Sequence, residues 1–487
     1  MAAWVASLGA VRTVPAGLSL SIWRPETVFQ DQIALVLDAP AWSIGFGLAG
    51  LLLAILLSGR LGSDPTARQR TAGLLAFGAV GLLSIQAGNL LTLALSWTLM
   101  DLAALAYRSR LLSREGSPRR PWGILGNLSG TLLAGAAILG LPAGTTGSDL
   151  ADLAAKPWPA TLVLAGAAIR LAAVAVPEGS SNSAEDREGA AAFLLLTPQA
   201  ACLAALGRIA LPVPDGLSWL VIVVGTLALM AGGVGWLART GAASALKLPY
   251  FGLGMAGVAG LAAAAVPEGS GLAWSSGGVL ILLAGCNSVL VGAGRRVRQG
   301  GLLLAALSVA GLPFTPGSLL ASALVPVLMD AGRLALGLLG VVGMALLATG
   351  LWDRMTGSAE DKEATPERYA NARAIAALVF LVVGMVGTYF FLARQSGPVS
   401  PIGSVVSMAA FAIASLARRR WPKSERPRVA RTTRWLDPSL LLRMAGAATG
   451  WLLRGARSVA DLVEGEAALL WIYVLVVALG VAATVGG

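Results

Sequence analysis

The chain has 487 residues, of which 56% are apolar and only 13% are charged, against about 25% charged in a soluble domain. Gly accounts for 61 positions, in keeping with transmembrane helices, where small residues let backbones approach closely. The composition excludes a soluble enzyme, a disordered chain and a fibre. Continuous apolar stretches exclude a β-barrel, whose strands would alternate; the chain reads as an all-α polytopic membrane protein.

The net charge of +11 would raise nucleic acid in a soluble protein. Here basic loop residues that set topology explain it, and no nucleic-acid partner is expected. There is no His, which removes a His-ligated haem, a His-containing metal site and a His general base. Two Cys, Cys202 and Cys286, lie far apart in apolar runs and cannot hold a four-thiolate cluster. No metal and no cofactor are expected in this chain.

Residues 1–40 open with MAAWVASLGAV and no preceding basic region, so they read as a short extracytoplasmic segment, with a hairpin as the default, rather than a signal peptide. At about 20 apolar residues per crossing, candidate spans fall near 42–59, 71–88, 89–108, 123–142, 161–177, 190–211, 217–237, 242–266, 273–294, 301–329, 334–351, 374–393, 400–418 and 468–485. That is about 14 crossings. Arg60, Arg68 and Arg70 lie in one loop, Arg110, Arg114, Arg119 and Arg120 in another, and Arg295, Arg296 and Arg298 in a third. The loop after the thirteenth span carries Arg418, Arg419, Arg420 and Lys423. All four fall on one side, while loop 143–160 offers only Lys156 and loop 267–272 no base. The positive-inside rule then places both termini outside. Beyond a 41–395 transmembrane core, residues 396–435 supply an extra helix and a basic loop. Segment 436–463 has apolar residues at helical spacing with Arg443, Arg454 and Arg457 between them. It reads as an amphipathic helix along the membrane or a neighbour, before the last span.

Ionisable groups inside spans are costly and mark functional candidates. Asp101 sits in SWTLMDLAALAYR and Arg170 in LVLAGAAIRLAAVAVP. They are candidates for a proton path or for a pair that only locks helices together. Arg108, Arg208 and Lys247, near helix ends, are expected to snorkel to an interface. Pro198, Pro249, Pro313 and Pro316 interrupt spans, and broken helices bare carbonyls at membrane depth.

Three stretches carry a family resemblance. LVLDAPAWSIGFGLAGLLLAILLS (35–58) resembles the LDxLS start of the third helix of the antiporter-like membrane subunits of complex I. NLLTLALSWTLMDLAALAYR (89–108) resembles that family's fifth helix, NLLxLxLxWExxxLxSYxLI. LLLAALSVAGLPFTPGSLLAS (302–322) is similar to its LxxLAGIPPxxGFxxK. The resemblance covers roughly 33–395 and extends to the wider NADH:quinone oxidoreductase and Mrp antiporter family. It implies two inverted five-helix repeats near 71–211 and 217–351, with breaks at Pro198 and at Pro313–Pro316. It also implies other membrane subunits as partners within the lipid bilayer; the abundance of Ala, Gly and Arg points to the cytoplasmic membrane of a prokaryote.

The family's proton path does not transfer intact. Its Glu after the Trp of the fifth helix falls at Thr98, with Asp101 one turn on. Its lysines fall near Arg170, Gln199, Cys286 and Ala321. A relay needs groups that lose and regain a proton near neutral pH, which Thr, Gln and Ala do not. The resemblance thus implies an antiporter-like subunit whose own channel is partly or wholly degenerate, acting mainly in structure and coupling. It would be at most a non-catalytic part of an oxidoreductase-like complex. One rival keeps a rerouted path through Asp101, Arg170, Gln199 and Lys247. Another makes the chain the membrane partner of a soluble protein in inorganic-carbon uptake or a membrane-bound hydrogenase.

Overall fold

The computed structural model describes residues 13–20, 32–58, 65–112, 122–139, 141, 149–174, 186–209, 215–238, 244–266, 270–290, 294–330, 333–357, 370–396 and 399–420. The expected amphipathic segment 436–463 and the span 468–485 lie outside them. A hairpin comes first, β1 (Ala16–Leu20) antiparallel to β2 (Ile33–Leu37). Every later element among the described residues is helical: α1 (Ala39–Ser58), α2 (Pro65–Ile85), α3 (Leu90–Leu112), α4 (Trp122–Leu139), a 3-10 turn (Leu150–Ala155), α5 (Pro157–Val174), α6 (Asp186–Ile209), α7 (Asp215–Ala238), α8 (Ser244–Ala265), α9 (Ser270–Ala284), α10 (Cys286–Val289), α11 (Arg295–Val309), α12 (Pro316–Met329), α13 (Leu334–Gly357), α14 (Ala370–Ser396) and α15 (Pro401–Arg420). The predicted spans from 42–59 to 400–418 all fall on these helices. Among the described residues, eight helices are long and apolar enough to cross a membrane.

Local signals set the helix ends. The Asp38 carboxylate accepts the amide of Ala41 at 2.9 Å and starts α1; the Asn89 side chain accepts that of Thr92 at 2.9 Å and starts α3. Both are N-caps, satisfying amides that have no partner within the helix. α11 ends in a Schellman turn: Leu312 donates to the Leu307 carbonyl and Gly311 to that of Ser308, with Gly311 at φ +93°, a left-handed position suited to Gly. Pro316 then takes the first position of α12, where its missing N–H costs nothing. Span 301–329 is therefore two half-helices joined at 310–315. Pro198 corrects the other expected break, because α6 runs through it without interruption. A lone Pro removes one helical hydrogen bond, whereas the second site combines a positive-φ Gly with two Pro; α6 is also largely buried among its neighbours, which favours an unbroken helix.

The helices form two groups of five spans, α2–α6 and then α7, α8, α9–α10, α11–α12 and α13. In each, the first span packs on the last: α2 on α6, and α7 on α13. Five crossings is an odd number, so the second group starts on the opposite side of the membrane and the two are inverted. α1 touches α2, α6, α9 and α14 and joins them. The α8 span is wholly buried, as is most of α9. Glycine permits the closest approaches. A Cβ on Gly166 would stand 2.7 Å from the Gly130 carbonyl, bringing α5 onto α4, and one on Gly257 would stand 2.6 Å from that of Gly225, bringing α8 onto α7.

Candidate functional site

Among the described residues, a largely buried ion pair in mid-span joins α3 to α5. Arg170 is wholly buried, and its Nη1 and Nη2 donate to Oδ2 and Oδ1 of Asp101 at 2.7 and 2.8 Å. This two-pronged geometry is the strong, orienting form of an Arg–carboxylate contact. Nη1 also donates to the Thr131 hydroxyl at 2.5 Å and to the Asn127 carbonyl at 3.0 Å. Thr131 in turn lies 3.0 Å from Asp101 Oδ2. The guanidinium carbon stands 4.7 Å from the centre of the Trp97 ring, a cation–π contact.

Helical spacing builds this cluster. Trp97 and Asp101 are four apart on α3, and Asn127 and Thr131 are four apart on α4, so each pair shares a face. Gly130 lies under the Arg170 chain, where a Cβ would overlap its Cγ. Thr98 is one residue around from Trp97, and is exposed on the outer face of α3. Its hydroxyl donates to the Ala94 carbonyl of its own helix at 2.8 Å. The position that resembles the family's Glu therefore does not enter the cluster.

The polar line continues across the bundle. The Cys202 thiol of α6 is buried beside the Arg170 guanidinium. Gln199, one turn away on the same face of α6, is wholly buried. Its Nε2 donates to the Pro249 carbonyl of α8 at 2.9 Å, while its Oε1 has no hydrogen-bond partner. Gly252 makes room for it, since a Cβ there would overlap Oε1. Lys247 sits half-buried near the start of α8. The structure thus places Asp101 and Arg170 in contact and Gln199 on the adjoining helix. Asn127, Thr131 and Cys202 also belong, although only Cys202 drew notice in the sequence, and there as a thiol in an apolar run. The available signal for the other two was the i, i+4 polar pair in an otherwise apolar α4.

Arg208 does not snorkel. It lies buried at the end of α6, its Nε and Nη2 donating to Asp38 Oδ2 and Oδ1 at 2.7 and 3.0 Å. Nη1 and Nη2 donate to the carbonyls of Ala87 and Val36 at 2.5 and 3.0 Å. It fastens β2, the start of α1 and the 86–89 turn to α6. Asp38 therefore both caps a helix and holds an arginine. Arg170 and Arg208 are the only buried charged residues among those described.

In the second group, the buried polar residues of the described set are hydroxyls such as Ser276, Ser308, Thr315, Ser318 and Thr349. Ala321 is buried and apolar on α12. Pro313 is exposed in the turn between the half-helices. Beside it Phe314, at φ +64°, stacks on Phe390 and meets Tyr389 edge-on. Among the described residues no three His, Cys, Asp or Glu side chains gather as metal ligands.

This arrangement is that of a multi-pass membrane protein of the complex I and Mrp fold. A chain of the Mrp complex from Dietzia sp. DQ12-45-1b superposes with a TM-score of 0.68 at 18% identity, over 99% of this chain and 59% of that one. A chain of respiratory complex I from Thermus thermophilus gives 0.61 at 18% identity, over 85% and 93%. A chain of the membrane-bound sulfane sulfur reductase, an archaeal respiratory membrane complex, gives 0.60 at 14% identity, over 98% and 93%. The chain spans little more than half the length of the Mrp relative. No protein-family model and no curated protein sequence matches it.

Proposed function

We propose that this chain is an antiporter-like membrane subunit of a complex-I-related or Mrp-related assembly in a prokaryotic membrane, its own proton path degenerate, working mainly as a structural and coupling element. The fold shared with chains of three such complexes supports the first part. The observation that carries the second is the Asp101–Arg170 lock. Arginine does not release its proton in a protein, and here four acceptors on two helices, α3 and α4, hold it. The next polar groups are a buried thiol, Cys202, and an amide, Gln199, and the buried polar residues described in the second group are hydroxyls, where a relay would need groups that titrate near neutrality.

The test is an assembled complex in vesicles, with proton uptake measured per electron or per cation moved. Arg170→Ala is expected to lower the yield of assembled complex, while the complex that does form keeps its stoichiometry. Intact complex moving fewer protons would overturn the reading.

The buried polar groups Asp101, Arg170, Cys202 and Gln199, the last bonded to the Pro249 carbonyl, favour a second reading, a water-bridged path across α3, α5, α6 and α8. Under it, Asp101→Asn abolishes proton movement in assembled complex; under the first, movement persists.

A further inference from the structure

We propose that one acyl chain of a membrane phospholipid is a resident part of this fold, inserted in the seam between the two five-span groups. A crevice of about 120 Å³ opens there, between α5 and α7, floored by α6, α8 and α9. Leu164, Ala168 and Leu171 form one wall, Val224 and Ala228 the other, and the ring of Trp274 the back. Leu164, Ala168, Val224 and Ala228 are partly exposed and form the mouth, while Trp274 is buried.

The lining selects the occupant. A water needs two to four polar partners, and the lining side chains offer one polar atom, the indole nitrogen of Trp274, itself without a hydrogen-bond partner. A helix is about 10 Å across with its side chains and does not enter so small a space. The volume is a little below that of an apolar cavity of about 150 Å³ that takes up benzene, so it admits a polymethylene stretch and excludes a headgroup. Left empty, the walls would forfeit their dispersion contacts.

Two tryptophans set the depth. Trp158 in the first turn of α5 and Trp219 early in α7 are 64% and 61% exposed. Two crossings separate these helix starts, so they lie on the same side, and exposed Trp gathers at the membrane interface. At 1.5 Å per residue, Leu164 lies about 9 Å and Leu171 about 20 Å below Trp158, and Ala228 about 14 Å below Trp219. Half the hydrocarbon thickness is about 15 Å. The crevice therefore lies where the inner part of an acyl chain runs when its headgroup sits at the level of the two indoles. Leu171 follows Arg170, so the lipid would back the helix that carries the buried pair.

The test is fluorescence of the full chain reconstituted in phosphatidylcholine vesicles, with acyl chains either plain or brominated mid-chain. Bromine quenches an indole it touches, and the difference between wild type and Trp274→Phe isolates the Trp274 emission. Brominated lipid is expected to quench most of that emission despite the burial of the ring. Ala168→Phe, which fills the crevice, should restore it, while a far-ultraviolet circular dichroism spectrum unchanged from wild type shows that the fold is kept. Ala228→Leu should act likewise, and both variants should retain less phospholipid than wild type after detergent exchange. Unquenched Trp274 in the wild-type chain, or quenching that persists in both filled variants, would overturn the proposal.

Discussion

Replacing Asp101 by Leu leaves the Arg170 guanidinium wholly buried, with the Thr131 hydroxyl, the Asn127 carbonyl and the neighbouring Cys202 thiol in place of a carboxylate. Breaking a buried pair from one side costs about 3–5 kcal/mol, because the remaining charge is stranded. Asp101→Leu is expected at the top of that range, about 5 kcal/mol, since Arg170 has no exposure. Arg170→Met is expected at the bottom, about 3 kcal/mol, because the Asp101 side chain keeps 20% exposure and Thr131 as a donor. Substituting both partners by apolar residues removes both charges together, so the double variant should lie within about 1 kcal/mol of wild type. The assay is unfolding of the full chain in mixed micelles by added sodium dodecyl sulfate, followed by tryptophan emission. The reasoning fails if each single variant loses less than about 1 kcal/mol, or if the double variant is weaker than either single one.

Three further outcomes follow from other parts of the fold. Arg208→Met strands Asp38 and releases two carbonyls; a loss of about 3 kcal/mol and faster hydrogen exchange at the amides of Val36 and Gly88 are expected, with α13–α15 unchanged. Gly311→Ala should cost about 1–2 kcal/mol from the left-handed backbone alone, because the added Cβ meets Ala321 and Ser407 at an ordinary 3.4 Å; Gly311→Asn should lose less, and equal stability of all three chains would refute this. Gly252→Ala overlaps Gln199 and should lose about 1–3 kcal/mol in the same micelle titration; adding Gln199→Ala should recover most of it, and no recovery would mean that Gln199 does not fill that space.

The particular residues show what could be read in advance. The helices needed only the apolar runs and the prolines Pro313 and Pro316 in span 301–329, while the caps Asp38 and Asn89 and the left-handed Gly311 came from the structure. Those are local effects, in which one residue serves backbone groups a few positions away. Asp101 and Arg170 stood out because charge in hydrocarbon is expensive wherever the chain later carries it. Asn127 and Thr131 did not stand out, because a hydroxyl and an amide are tolerable in a helix that later turns them toward lipid or toward a partner.

The sequence by itself determined the membrane class, the positions of the described spans, one of two expected helix breaks and the pairing candidates, since each follows from transfer free energy and backbone sterics within one segment. Only the tertiary structure decided that Thr98 faces outward while Asp101 faces Arg170, because rotation about the α3 axis is settled by what packs against it. It also decided that α6 continues through Pro198, packed among neighbouring helices. And it decided that Arg208 binds Asp38, 170 positions away, instead of reaching for the interface. That choice depends on where the end of α6 comes to rest against β2, and no pattern within α6 contains it.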